Sequence, residues 1–231
     1  MISTKSAAVV QEFHHFINDE LYPCVAARAA MAQENVPCYV AGHMACPHDD
    51  AGILQFVYDF IERFRKSKPG FKSAAIIFKS PEDTTPESFD HLLWQRLQAL
   101  SDLDAQKFRY DPRVNPRPSS SDFSFSLGEE AFFIIGLHPG STRASRRFKY
   151  PAMVFNPHVQ FEELRKLNRY EKLKNIVRQR DVRYSGSVNP MLADFGEASE
   201  AYQYSGRQYD GNWTCPLKPT HGESNDHSSE K

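Results

Sequence analysis

The sequence predicts an α+β domain, a small, mainly antiparallel sheet with a central hairpin, covered by several helices. Two observations lead there. Apolar residues alternate at Phe123, Phe125 and Leu127, a turn follows at Gly128, and a second apolar run spans 131–137, which together read as a hairpin. Long stretches on either side carry apolar residues at helical spacing instead. Residues 1–216 are expected to form one domain and 217–231, containing KPTHGESNDHSSEK, a disordered tail.

Val10, Phe13, Ile17, Leu21 and Val25 keep helical spacing until Tyr22-Pro23 interrupts it. This gives one helix to about residue 20 and a second that starts after Pro23. Ile53, Phe56, Val57, Phe60, Ile61 and Phe64 form a stripe whose last turn is basic (Arg63, Arg65, Lys66) and which stops at Pro69-Gly70, an amphipathic helix. Residues 71–79 (FKSAAIIFK) read as a buried strand ended by Ser80-Pro81, and an acidic segment leads into a helix over 88–100. The proline-rich 111–121 (DPRVNPRPSSS) is an irregular connection or flap. A strand over 152–155 and a helix over 159–180 follow, and 184–207 is rich in Gly, Ser, Asn and acidic residues.

Lys+Arg 28 against Asp+Glu 29 leaves a formal charge of -1, so no global field favours nucleic acid or an anionic membrane. The opening MISTKSAAVVQEFHHFINDE is unlike a signal peptide, and no long uninterrupted apolar run follows, so the expected location is cytoplasmic. Cys24, Cys38, Cys46 and Cys215 are too scattered for a disulfide scaffold and read as thiols or ligands. Cys38, His43, Cys46 and His48 invite a zinc reading, but C-x4-H-x2-C-x-H matches no standard finger pattern, and the segment reads as a loop.

Chemistry gathers where apolar runs end. His138-Pro139-Gly140 and Asn156-Pro157-His158 each place a histidine beside a proline, which removes a backbone donor and stops the strand. A side chain at such a stop is held by a rigid element and faces an opening. Arg143, Arg146, Arg147 and Lys149 crowd the bend between, where a guanidinium fork can grip a carboxylate or phosphate. Cys24, in the opening turn of the second helix, is either a reactive or ligating thiol or a small buried residue. Asn189, Asp194, Glu197, Glu200 and Arg207 either form a polar wall for a cationic group or cap short helices and turns.

The segments FSFSLGEEAFFIIGLHPGSTRASRRF, PAMVFNPHVQFEELR, NPMLADFGEASEAYQYSGR and WTCP, and more loosely Tyr22-Pro23-Cys24, resemble the YqcI/YcgG family of bacterial proteins. Some members of that family are haem-dependent oxygenases that hydroxylate a guanidine nitrogen. The resemblance therefore implies haem b and, since no flavin or nicotinamide fingerprint is visible, an external electron donor in the form of a separate reductase. Haem needs an axial ligand, an apolar slot and cations for its propionates. His158 is the preferred iron ligand, followed by His138, with Cys24 and Cys215 as thiolate alternatives. Phe133 and Phe155, with Phe132 and Phe161, supply the slot, and Arg143, Arg146 and Arg147 the cations. Glu162, Asp194, Glu197 and Glu200 are the expected anchors for the guanidinium or ammonium group of a small-molecule substrate. The expected activity is N-hydroxylation of that substrate. The rival expectation is a non-catalytic haem or small-metabolite binding protein.

Overall fold

The computed structural model describes residues 4–191 and 193–221. Among them are five strands and seven helices: α1 (Thr4–Asn18), α2 (Val25–Ala32), β1 (Cys38–His43), α3 (Asp50–Lys66), β2 (Ala74–Ser80), α4 (Pro86–Asp104), β3 (Phe125–Leu127), β4 (Glu130–Leu137), β5 (Ala152–Pro157), α5 (His158–Lys166), α6 (Tyr170–Ser185) and α7 (Ala201–Tyr204). The strands form one sheet in the order β1-β2-β5-β4-β3. β1 runs parallel to β2, and the other neighbours are antiparallel. The expected mixed α+β, mostly antiparallel architecture is present.

The hairpin is where the sequence put it, but it is not central. Leu127 pairs with Glu130, and Gly128 and Glu129 both have positive φ (56° and 59°), the type I′ geometry that matches strand twist. β3 is the sheet's outermost strand, and the middle position belongs to β5. Residues 38–43 form the strand β1 in place of the expected loop. Its parallel pairing to β2 needs a crossover, which α3 provides. The single helix expected over 159–180 is two helices, broken where Asn168 takes φ 55° and its N–H bonds Arg165 O.

Each face of the sheet buries its own cluster. Ile76, Phe78, Phe132, Ile134, Met153 and Phe155 meet α3 and α4 on one side. Ala75, Ile77, Leu137 and Ala152 meet α1 and α2 on the other. Period-two alternation sorts them, so neighbours along a strand belong to different cores. Leu217, 3% exposed, joins the first core, and His221 Nε2 lies 2.9 Å from Asp104 Oδ2. The chain is thus packed through 221, and the rest of the expected tail lies outside the described residues. The 111–121 segment flanks the hairpin: Asp111 accepts from Ala131 N (2.8 Å) and from Arg113, which also reaches Glu130 (2.8 Å). No helix among the described residues is long and apolar enough to cross a membrane.

Candidate functional site

Between the second face of the sheet and α1, α2, α5 and α6 lies a cavity of about 300 Å³, the lower end of the range of small-molecule sites. Its floor is Phe133, Ile135 and Leu137 of β4 with Val154 of β5, alternate residues that pleating puts on one side. Phe13 and Ile17 of α1, Cys24 and Met31 around α2, and Phe161, Leu173 and Val177 of α5 and α6 complete the apolar wall.

Set into that wall are the cations Arg143, Arg146, Arg165, Lys174 and Arg178 and the acids Asp181, Asp194 and Glu200. Arg143 is committed to Asp181 (2.5 Å) and the Ser187 carbonyl (2.6 Å). Arg146, 8% exposed, donates from Nη1 to the carbonyls of Tyr204 (3.0 Å) and Gly136 (3.3 Å). No carboxylate among the described residues is paired with it. Burial, then repulsion by Arg143, pulls its pKa down to about 10, so the site favours an incoming anion. Arg178 Nε is buried without a hydrogen-bond partner.

Cys24 caps α2, its Sγ accepting from Ala27 N at 3.4 Å. Burial pushes the thiol pKa up, against the lowering effect of the Ala27 and Ala26 N–H groups. It is a neutral thiol at a helix N-terminus, and a metal would deprotonate it.

Of the residues singled out in the sequence, the cavity wall gathers Phe133, Phe161, Arg143, Arg146, Asp194, Glu200 and Cys24. Phe155 is one residue out of phase with Val154 and Asn156, so it packs edge-on to Phe132 (5.6 Å) in the opposite core. His138, one step past Leu137, likewise turns to that side, stacks on Phe89 at 4.3 Å and sits 2.9 Å from Thr84 Oγ1. The expectation of one hollow flanked by both imidazoles is therefore corrected. His158 is buried behind Phe195 (4.4 Å), with Nδ1 3.4 Å from Glu200 and Nε2 3.6 Å from Glu162. Arg147 is exposed and donates to the Ser141 carbonyl (2.8 Å). Glu197 is exposed as well and accepts from Asp194 N (3.1 Å). Asp194 is itself spent: although burial acts to raise its pKa, bonds from Lys174 (2.6 Å) and Tyr170 (3.1 Å) hold it below the usual carboxylate range. Cys215 belongs to the first core, and Cys46 is exposed. Cys38 and His43 are strand residues, and no cluster of three or more potential metal ligands occurs among the described residues.

Sequence reasoning missed Arg178, Asp181, Arg165 and Lys174 as wall residues. For Lys174, Arg178 and Asp181, helical period carried across 167–169 as if unbroken gives the wrong phase for α6, which the positive φ of Asn168 resets; Arg165 lies before that break, in α5.

A family model described as the YqcI/YcgG family matches residues 13–218, a span that encloses every cavity-lining residue. The chain belongs to the YqcI/YcgG family. Its relatives include two proteins of Bacillus subtilis (strain 168). It is 23% identical to "Uncharacterized protein YcgG" over 186 residues, 77% of this chain and 72% of that one. It is 25% identical to "Uncharacterized protein YqcI" over 182 residues, 76% of this chain and 71% of that one. No solved structure matches. This family member keeps its cavity wholly inside the matched span.

His138 gives the fold a predictable acid sensitivity. Burial, then the charge of Arg146, lowers its pKa to about 4, while Glu87 acts weakly the other way. Between about 6.5, the unperturbed value, and 4 the unfolded chain binds a proton that the folded one refuses. This contribution is complete above 6.5 and is lost as pH falls through 4, on the order of 3 kcal/mol in all. Urea midpoints measured across this window should fall less steeply in His138→Gln than in the parent.

Proposed function

We propose that the chain binds haem b in this cavity and acts as an oxygenase that hydroxylates a nitrogen of a guanidine- or amine-containing small molecule, with electrons from a separate reductase. One observation carries the reading: a single cavity joins an apolar slot, a thiol at a helix N-terminus and a buried arginine without a carboxylate partner. These meet the three needs of haem. Bound haem would supply the activation of O2. Cys24 is the thiol on the wall, and a thiolate ligand favours O–O cleavage. Phe133, Ile135, Phe161 and Val177 would flank the macrocycle and exclude water, and Arg146 would meet a propionate through a fork. Glu200, 5% exposed and fixed by Tyr204 OH (3.3 Å), is the wall carboxylate left for a cationic substrate.

The test is the visible spectrum of protein made with iron and haem precursor. A Soret band is expected, with a thiolate-type shift under CO. Cys24→Ser should abolish that shift, whereas His158→Ala should keep it. A preparation that stays colourless with added hemin overturns the reading, and haem lost only in His158→Ala overturns the ligand assignment.

A second reading, a non-catalytic haem or small-metabolite carrier, is favoured by the engagement of Asp194 and Glu197 within the protein. Fewer free carboxylates remain for a guanidinium than the sequence suggested. Steady O2 consumption with a guanidine or amine and a reductase separates the oxygenase from the carrier.

A further inference from the structure

We propose that Glu200, His158 and Glu162 form a proton relay between the cavity and solvent; the proposal rests on the oxygenase reading for its use, though not for its existence. Glu200 faces the cavity, and its Oε1 lies 3.4 Å from His158 Nδ1. On the far side of the ring, His158 Nε2 lies 3.6 Å from Glu162 Oε1. The side chains of Glu200 and His158 are both sealed, and only that of Glu162, 29% exposed, opens to solvent. Both ring nitrogens of His158 are buried with no hydrogen bond of good geometry, an uncommon state for an imidazole placed only for packing. Such contacts lie a few tenths of an ångström beyond working proton-transfer distance, and they tighten in a liganded site or pass through one water.

Hydroxylating a nitrogen takes N–H, O2, two electrons and two protons to N–OH and water. The reductase brings the electrons, and of the wall carboxylates Asp181 and Asp194 are already bonded to Arg143 and Lys174, which leaves Glu200 to hand protons to the cavity. In the relay, Glu162 takes a proton from water and passes it to His158 Nε2. Nδ1 then gives a proton to Glu200, which presents it to the cavity. Ring rotation resets the imidazole, with no net charge left behind. His158 is thus a proton-carrying residue one layer behind the site, which explains a buried histidine that reaches no cavity wall.

The test begins on haem-free protein labelled with 15N-histidine, where His158→Gln identifies the ring signal. Exchange of the His158 ring N–H with water should slow about tenfold or more in Glu162→Gln, which cuts the outward hop, and change little in Glu200→Gln, which does not. Glu162 is part-exposed, so its replacement leaves the fold intact. Loaded with haem and given reductase and a guanidine, Glu162→Gln should keep the Soret band, lose about tenfold or more in product formation and show a larger solvent deuterium effect. Exchange unaffected by Glu162→Gln overturns the relay, whatever the haem content. Slowed exchange in a protein that stays colourless removes the oxygenase and leaves the relay standing.

Discussion

Arg96→Ala should destabilise the fold by about 3–5 kcal/mol, seen as a lower urea midpoint with little change in slope. Arg96 is 2% exposed on α4 and pairs with Asp50 at the start of α3. The same guanidinium donates to the Met44 carbonyl from Nε (3.0 Å) and Nη2 (2.8 Å). One side chain therefore ties the end of β1 and the start of α3 to α4. Its loss leaves a buried carboxylate and a buried carbonyl unpaired together. Burial already raises the Asp50 pKa, and Arg96 opposes that rise. In Arg96→Ala the carboxyl should therefore take up a proton at higher pH, and the deficit relative to the parent should shrink as pH falls. Replacing both partners with apolar residues should recover most of the loss, since the pair costs nearly as much to desolvate as it returns.

Gly140→Ala should be comparably damaging for a steric reason. A Cβ on Gly140 would sit 1.7 Å from the Thr84 carbonyl oxygen and 2.8 Å from its carbon. Both are backbone atoms, so no side-chain rotation relieves the overlap. Thr85, the next residue, caps α4 by accepting from Ser88 N at 3.1 Å, so pushing the Thr84 peptide aside also disturbs the cap. A loss at or above the ~1–3 kcal/mol of ordinary overpacking is expected. Gly211→Ala, which meets nothing within 4 Å, is the matched control and should be close to neutral.

Much of the fold was legible because local rules and tertiary packing agree there. The hairpin shows in the alternation at Phe123, Phe125 and Leu127 and in Gly128, and α3 in its apolar stripe. β1 is hidden because CYVAGH is only half-buried and lacks a clean alternation, and its cysteine and histidine suit a metal site as well as a strand. The arginine bend was legible as a place for anions, and Arg143 and Arg146 do reach the cavity. The side each histidine faces is not legible, because a strand end fixes a position but not a side. One residue of phase sends His138 to the opposite core, and Phe155 follows the same rule. That choice depends on which helices cover each face, and no short stretch of sequence contains it.

Asp104 links two parts of the molecule that are far apart in the chain. Its Oδ1 accepts from Tyr58 OH (2.7 Å) and from Gly128 N at the tip of the hairpin (2.9 Å), while Oδ2 meets His221. A protease cut just after Pro216 would thus do more than shorten the protein. It would unplug Leu217 from the interior, strip the imidazole from this carboxylate and loosen the outer rim of the sheet, so ragged C-termini in a preparation should be read as a threat to folding.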